Sequence, residues 1–140
     1  GIYGLNRSDI KTKTAALVKE LQIEDIIDSL VGSLPLGWKQ KLSFSVALLH
    51  EPKIVFLDEP TGGVDPITRR QFWEMIYTQA YKGTTIFVTT HYMDEAEYCD
   101  RVSIMVAGKI EALDTPKKLK EQFNVESMND VFLKLARNVE

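Results

Sequence analysis

The fold is decided by the stretch Lys53-Ile54-Val55-Phe56-Leu57-Asp58-Glu59-Pro60, in which an apolar run ends in two acids. A continuous apolar run of strand length is typical of a strand buried on both faces of a parallel sheet. In open α/β sheets, ligands collect beyond the carboxyl ends of such strands. Asp58 and Glu59 therefore suit a Mg²⁺ ion on a nucleotide, although the pair alone is also compatible with a polar strand end that reaches solvent.

The composition is that of an ordinary globular domain without a strong charge. The chain has 140 residues, of which 44% are hydrophobic and 26% charged, and its net charge is −3. This net charge is not the excess of positive charge that nucleic-acid-binding proteins usually have, which argues against nucleic acid as a partner. The single cysteine, Cys99, cannot form an internal disulfide, which is consistent with a reducing cytosol. No apolar run approaches the roughly 20 residues that span a bilayer, so we expect any membrane link to come through a partner.

The segment before Lys53 predicts three helices. Ser8 can cap the first helix, the second covers Asp25 to Leu30, and the third runs from near Gly37 to His50. The residues expected to face inward are Ile10, Leu17, Val18 and Leu21 in the first helix, Ile26, Ile27 and Leu30 in the second, and Trp38, Leu42, Val46 and Leu49 in the third.

From Lys53 onward the pattern alternates strands and helices. Asp65 is a good N-cap and Pro66 a good first helical residue for a helix that leads to a second strand, Thr84 to Thr90. The apolar residues that this helix should bury are Ile67, Phe72, Met75, Ile76 and Ala80. Further along, the pattern predicts a short helix from Met93 to Cys99, a hairpin turning at Gly108, and two helices that begin at Thr115-Pro116 and at Ser127.

Several ordered motifs resemble those of the ABC-transporter ATPases over nearly the whole chain. Lys53 to Pro60 resembles their Walker B strand, and Thr61-Gly62-Gly63-Val64-Asp65-Pro66 resembles their D-loop. His91 follows the second apolar run, as the switch histidine does in that family. Leu34 to Gln40 and Asn129 to Leu133 look like the ABC-2 export branch, in particular its multidrug-efflux-like ATPases.

One motif of that family does not occur in this sequence. No Gly-x-x-x-x-Gly-Lys-Ser/Thr is present, so the chain lacks the loop that cradles phosphates and its lysine. The resemblance therefore implies the C-terminal part of an ATPase domain. Residues 1–52 would belong to the helical subdomain, and residues 53–140 to the nucleotide-binding core. The fold class is α/β, a partial P-loop NTPase parallel sheet preceded by part of the ABC helical subdomain.

The resemblance implies roles for six residues. Glu59 would be the general base, Asp58 would hold Mg²⁺ through water, and His91 would donate to the γ-phosphate. Asp65 would contact the opposing subunit, although it can also be only a helix N-cap. Gly37 and Trp38 would offer backbone N–H groups to a phosphate at a helix N-terminus.

The segment that contains Gly37 and Trp38 departs from the family pattern. The usual Leu-Ser-Gly-Gly-Gln is here Leu34-Pro35-Leu36-Gly37-Trp38. Pro35 supplies neither a hydroxyl nor an N–H, and Leu36 adds bulk where a phosphate should approach closely. Two readings stay open: a weakened phosphate site, or a segment whose Pro35 and Trp38 only cap and pack the helix.

The implied function is that of an ATP-binding and ATP-hydrolysing subunit of an ABC-type exporter, with ATP and Mg²⁺ as cofactors. Its partners would be a second ATPase domain and an ABC-2 type permease, which would hold it at the cytoplasmic face of the membrane. The alternative is a non-catalytic assembly or regulatory partner of an ABC ATPase or permease. We expect the isolated chain to lack ATPase activity, and to self-associate because apolar strands would be left uncovered.

Overall fold

The computed structural model describes residue 4, residues 6–21, residue 24 and residues 27–137. These residues form two compact units, one up to Thr89 and one from Thr90 onward. The predicted subdomain division between residues 52 and 53 stays a prediction. Among the helices of the described ranges, none is both long and apolar enough to cross a membrane.

The first unit begins with helix α1, Arg7–Leu21. Its cap is Asn6, whose Oδ1 accepts a hydrogen bond from the Asp9 backbone N–H at 2.8 Å. The prediction that Ser8 caps this helix is therefore wrong, since Ser8 already lies within the first turn. Ile10 is 40% exposed, so it does not face a core.

The part of the predicted helix Asp25 to Leu30 that the structure describes is not helical. Asp25 and Ile26 lie outside the described residues, and residues 27–30 form a turn. Ile27 and Leu30 are exposed in this structure, contrary to the prediction that they face inward. A short 3₁₀ turn, Val31–Ser33, leads to the next helix.

Helix α2 spans Leu36–Leu48 and buries Phe44 and Ser45. The Phe44 ring lies 5.3 Å from the ring of Phe72 in the following helix. The predicted inward stripe is wrong at Val46, which is 50% exposed. The buried face of α2 is thus set by the aromatic contact with its neighbour and not by the most regular apolar spacing.

Two strands and the helix between them confirm the predicted strand–helix–strand pattern. Strand β1, Ile54–Asp58, pairs in parallel with β2, Thr85–Thr89, and Asp58 lies opposite Thr89. Helix α3, Pro66–Tyr81, connects them and is capped by Asp65 as predicted. It buries Phe72, Trp73 and Ile76. Ile67 was expected inward but is 71% exposed, because the first turn of α3 contributes no buried residue.

One face of this two-stranded sheet is open. Side chains alternate between faces along a strand, and Val55 is buried whereas Ile54 and Phe56 are 51% and 76% exposed. Phe87 of β2 is 57% exposed, and its ring stacks on that of Phe56 with centroids 5.3 Å apart. The strands are therefore covered on one face only.

The second unit packs a hairpin against three helices. Its elements are α4 (Met93–Ala96), β3 (Val102–Val106), β4 (Lys109–Asp114), α5 (Pro116–Phe123) and α6 (Met128–Arg137). Strands β3 and β4 are antiparallel, and the turn uses positive φ angles at Ala107 and Gly108. Such angles match the twist of a hairpin. The core consists of Ala96, Ile104, Leu119, Met128, Val131 and Leu135.

The last two helices begin where the sequence predicts. The Thr115 hydroxyl accepts from the Lys118 N–H, and the Ser127 hydroxyl accepts from the Asp130 N–H at 3.1 Å. Near α4, the half-buried Cys99 thiol donates to the Glu95 carbonyl at 3.8 Å. Burial raises the pKa of the Cys99 thiol, because the charged thiolate is disfavoured away from water.

Candidate nucleotide site

Asp58 and Glu59 lie at the carboxyl end of β1, and Thr89 holds both of them. The Thr89 hydroxyl donates to Asp58 Oδ1. The Glu59 backbone N–H donates to the Thr89 carbonyl at 3.0 Å and lies 3.1 Å from the Thr89 hydroxyl oxygen. Thr89 therefore orients the Asp58 carboxylate and fixes the backbone of Glu59, while both acids stay exposed.

The backbone of Glu59 has an unusual conformation. Its φ is +44°, in the left-handed region that non-glycine residues rarely adopt. Such a residue costs on the order of 1–3 kcal/mol and is found most often at functional sites. The turn that follows supports it, because the Gly62 N–H donates to the Glu59 carbonyl at 3.1 Å. A Cβ at position 62 would lie 3.3 Å from that carbonyl oxygen, so a small residue suits this turn.

The donor chemistry at this edge fits a hydrated Mg²⁺ ion. Mg²⁺ usually keeps several waters and binds through one or two carboxylates together with substrate phosphates. Asp58 offers an exposed carboxylate that is oriented by Thr89. Within the described ranges, no group of three or more His, Cys, Asp or Glu side chains could hold a metal ion.

Asp65 caps α3 and is held by Thr68. Its Oδ1 accepts from the Thr68 backbone N–H at 3.0 Å, and its Oδ2 accepts from the Thr68 hydroxyl. These bonds, with the hydroxyl as the larger cause, lower the pKa of Asp65 below its ordinary value. The structure thus contains the N-cap that the sequence predicts. The contact of Asp65 with an opposing subunit stays a prediction.

Gly37 packs directly against the same threonine. A Cβ placed at Gly37 would lie only 2.3 Å from Thr68 Cγ2. Leu36 Cδ2 lies 3.4 Å from where a Cβ of Gly63 would be. The signature segment, Leu34 to Trp38, which departs from the family pattern, is therefore packed against the D-loop-like turn within the first unit.

Pro35 and Trp38 lie at the start of α2. Pro35 occupies the N-cap position and offers no side-chain cap. Trp38 is half-buried, with the Lys41 ammonium 5.1 Å from its ring, a distance suited to a cation–π contact. The first N–H groups of any α-helix have no intrahelical acceptor. The amides of Gly37 and Trp38 are therefore placed to meet an anion, and both readings of this segment stay open.

His91 belongs to the second unit. It is exposed, and its ring lies 4.2 Å from the ring of Tyr92 at a tilt of 35°. Of the residues predicted from the sequence, the structure joins Asp58 with Glu59 through Thr89, and Gly37 with Asp65 through Thr68. Sequence reasoning missed both threonines. Thr89 could have been found from the parallel register, which places it opposite Asp58.

Comparison with known proteins identifies the kind of domain. The sequence pattern of the family described as "ABC transporter" matches residues 5–62. The chain is 48% identical over 122 residues to the "Probable multidrug ABC transporter ATP-binding protein YbhF" of Escherichia coli (strain K12), covering 87% of this chain and 21% of that protein. It therefore spans about a fifth of the length of this relative.

Two solved structures show the same fold. One, described as "Structure of ATP binding subunit of ABC transporter", matches with a TM-score of 0.79 and 30% identity over 95% of this chain and 57% of that one. The other is cbiO1 from Clostridium perfringens, part of the ABC transporter complex cbiONQ, with a TM-score of 0.71 and 30% identity over 95% of this chain and 53% of that one. The fold is that of a P-loop nucleoside triphosphatase domain.

The chain belongs to the ATP-binding domains of the ABC transporter family. This membership confirms the family and the α/β fold class predicted from the sequence. The roles of the individual site residues stay predictions.

Proposed function

We propose that this chain is the C-terminal part of an ATP-binding domain, and that the complete protein hydrolyses ATP to drive an ABC-type exporter. The observation that carries the proposal is the pair of exposed acids at the end of β1, oriented by Thr89 on the neighbouring parallel strand. This is the edge at which α/β sheets bind ligands. The similarity to a probable multidrug ATP-binding protein supports export.

Each acid has a distinct role in this proposal. Glu59 acts as general base by orienting and deprotonating the water that attacks the γ-phosphate, which is worth about 10²–10⁴-fold in rate. Its fixed left-handed backbone sets the direction of the side chain. Asp58 holds Mg²⁺ through water, and the bound ion supplies neutralisation of phosphate charge. His91 donates a hydrogen bond to the γ-phosphate.

Other predicted residues serve the contact with a second ATP-binding domain. The backbone N–H groups of Gly37 and Trp38 face a phosphate bound by that domain, and Asp65 contacts the opposing subunit. The packing of Leu36 against Gly63 supports this, because it keeps the two segments together. An ABC-2 type permease is the membrane partner and holds the protein at the cytoplasmic face. The net charge of −3 supports the absence of a nucleic-acid partner.

A non-catalytic role in assembly or regulation is the second candidate. The observation that would decide for it is a complete protein without a Gly-x-x-x-x-Gly-Lys-Ser/Thr motif, a motif that these 140 residues do not contain. The loop amides and the lysine of that motif make most of the contacts that bind the phosphates. The two candidates differ in whether the complete protein turns over ATP.

The decisive experiment replaces Glu59 in the complete protein. We expect Glu59→Gln to bind Mg-ATP with about the wild-type affinity and to lose about 10²–10⁴-fold in turnover, because the change keeps size but removes the base. Nucleotide binding is measured by calorimetry and turnover by phosphate release. Glu74→Gln, which changes an exposed acid on α3, is the control and should keep full activity.

Two outcomes would contradict the proposal. Wild-type turnover in Glu59→Gln would show that Glu59 is not the general base. A complete wild-type protein that binds no ATP and releases no phosphate would favour the non-catalytic role.

A further inference from the structure

Glu95 is a fully buried acid that the proposed chemistry does not use. It lies in α4 and has no exposed surface. A buried carboxylate is unfavourable unless hydrogen bonds compensate for the lost water. The partners of Glu95 therefore indicate what the residue contributes.

The side chain of Glu95 accepts a hydrogen bond from Thr90, the residue that precedes His91. The Thr90 hydroxyl donates to Glu95 Oε2 at 2.6 Å. The oxygen of the same hydroxyl accepts from the Tyr92 backbone N–H at 3.0 Å. In addition, the Glu95 backbone N–H donates to the Tyr92 carbonyl at 3.0 Å.

These hydrogen bonds hold the backbone on both sides of His91. Thr90 and Tyr92 are the chain neighbours of His91, and both are tied to Glu95 directly or through the Thr90 hydroxyl. The backbone around the exposed imidazole is thereby fixed by a carboxylate that water does not reach. In such a site, the direction of a donor can be held without contact between Glu95 and the substrate.

We propose that Glu95 is a positioning residue for His91, acting through Thr90. This inference rests on the proposed function, in which His91 donates to the γ-phosphate. Glu95 holds the backbone on both sides of His91, so that the imidazole is in place before the transition state forms.

A nearby acid in the same unit has a different role. Glu97 accepts from Lys120 Nζ at 2.6 Å and from the Met128 backbone N–H at 3.1 Å. It therefore ties the end of α4 to α5 and α6. Glu97 is the matched control for the loss of an acid that only stabilises the unit.

The test measures steady-state ATPase activity of the complete protein. Glu95→Met keeps an unbranched side chain of similar length but removes the acceptor, and Thr90→Val removes the bridging hydroxyl. We expect each to lower kcat about 10–100-fold, with KM within about twofold, because misplacing a catalytic group by about 1 Å can cost about 10²-fold. Glu95→Gln and Thr90→Ser should keep most of the activity, since a carbonyl oxygen and a hydroxyl remain.

A double-mutant cycle separates positioning from mere stability. If Glu95 acts through His91, adding Glu95→Met to His91→Ala should lower kcat no further than His91→Ala alone. Glu97→Met should lower the melting temperature while leaving kcat near wild type at a temperature where the protein is folded. The control and the Glu95 variants are compared at that same temperature.

The outcomes distinguish this inference from the proposed function. If His91→Ala loses activity but Glu95→Met and Thr90→Val keep wild-type kcat, the positioning role is wrong and the proposed function stands. Additive losses in the double mutant would likewise overturn the positioning role. If the complete wild-type protein has no ATPase activity, or if His91→Ala keeps full turnover, the proposed role of His91 fails and this inference fails with it.

Discussion

Thr68 joins two segments of the candidate site through different parts of one side chain. Its hydroxyl donates to Asp65 Oδ2, and its methyl carbon lies 2.3 Å from where a Cβ of Gly37 would be. The hydroxyl bond fixes the rotamer, and the fixed rotamer places the methyl group. One threonine therefore links the charge of the helix cap to the packing of the signature segment.

The cap predicts a pH dependence of stability. The lowered pKa of Asp65 means that the folded state favours the ionised carboxylate. The stabilisation is therefore present above the unfolded pKa of about 3.9 and is lost as pH falls through the folded value. We expect the difference in free energy of unfolding between wild type and Asp65→Asn to be largest above about pH 5 and to shrink below about pH 4.

Urea denaturation over that pH range measures this difference. Thr68→Val, which removes the hydroxyl donor, is the control background in which the pH dependence should be weaker. A difference that does not vary with pH would show that the Asp65 charge contributes nothing to the cap.

At the scale of elements, the starts of α3, α5 and α6 were predictable, whereas the start of α1 was not. Inward faces were predictable only in part, since Phe72 and Ile76 are buried as expected but Ile67 is exposed. Asp65, Thr115 and Ser127 cap their helices as predicted, because an N-cap depends only on a side chain and the next three residues. Which face a helix buries depends on its neighbours in space, so Phe44 and Trp73 were missed as buried residues. Thr89 was missed for the same reason, since only the strand register reveals its contact with Asp58.

Gly37 tests the packing of α2 against the start of α3. Replacing it with alanine places a Cβ 2.3 Å from Thr68 Cγ2, and Thr68 cannot rotate away without breaking its bond to Asp65. We expect Gly37→Ala to lower the free energy of unfolding by about 1–3 kcal/mol, as overpacking typically does. Chemical denaturation monitored by tryptophan fluorescence measures the change.

Two further variants identify the cause. Gly32→Ala has open space around its new Cβ and should change stability by less than about 0.5 kcal/mol. Adding Thr68→Ser to Gly37→Ala removes the clashing methyl group and should recover most of the loss. A Gly37→Ala variant as stable as wild type would mean that the two segments separate readily.

At the scale of the whole molecule, the open face of the sheet in the first unit exposes apolar side chains. Ile54, Phe56 and Phe87 present apolar surface there, next to strand edges with unpaired backbone groups on their outer sides. The apolar strands were recognisable from the sequence as strands that need cover on both faces. Among the residues that the structure describes, only one face is covered, because helix α3 contributes its buried side chains to one side.

This face predicts self-association of the isolated chain. Burying a phenylalanine side chain contributes about 1.5–3 kcal/mol, so covering Phe56 and Phe87 together is worth several kcal/mol. We expect sedimentation to show dimers or larger species at micromolar concentration, and Phe56→Thr with Phe87→Thr to shift the population towards monomer. Tyr81→Thr removes an aromatic residue that is 95% exposed at the end of α3, and it should leave the association unchanged. A wild-type chain that stays monomeric would contradict this prediction.

The burial of Cys99 has a practical consequence for following the motions of the second unit. The chain has one thiol, which is half-buried, and burial raises its pKa and so disfavours the reactive thiolate. We expect a thiol-specific reagent to modify the folded unit more slowly than the unfolded chain, and local opening around Cys99 to speed the modification. Because the Cys99 thiol donates to the Glu95 carbonyl, the modification rate should respond to opening of the segment that contains Glu95.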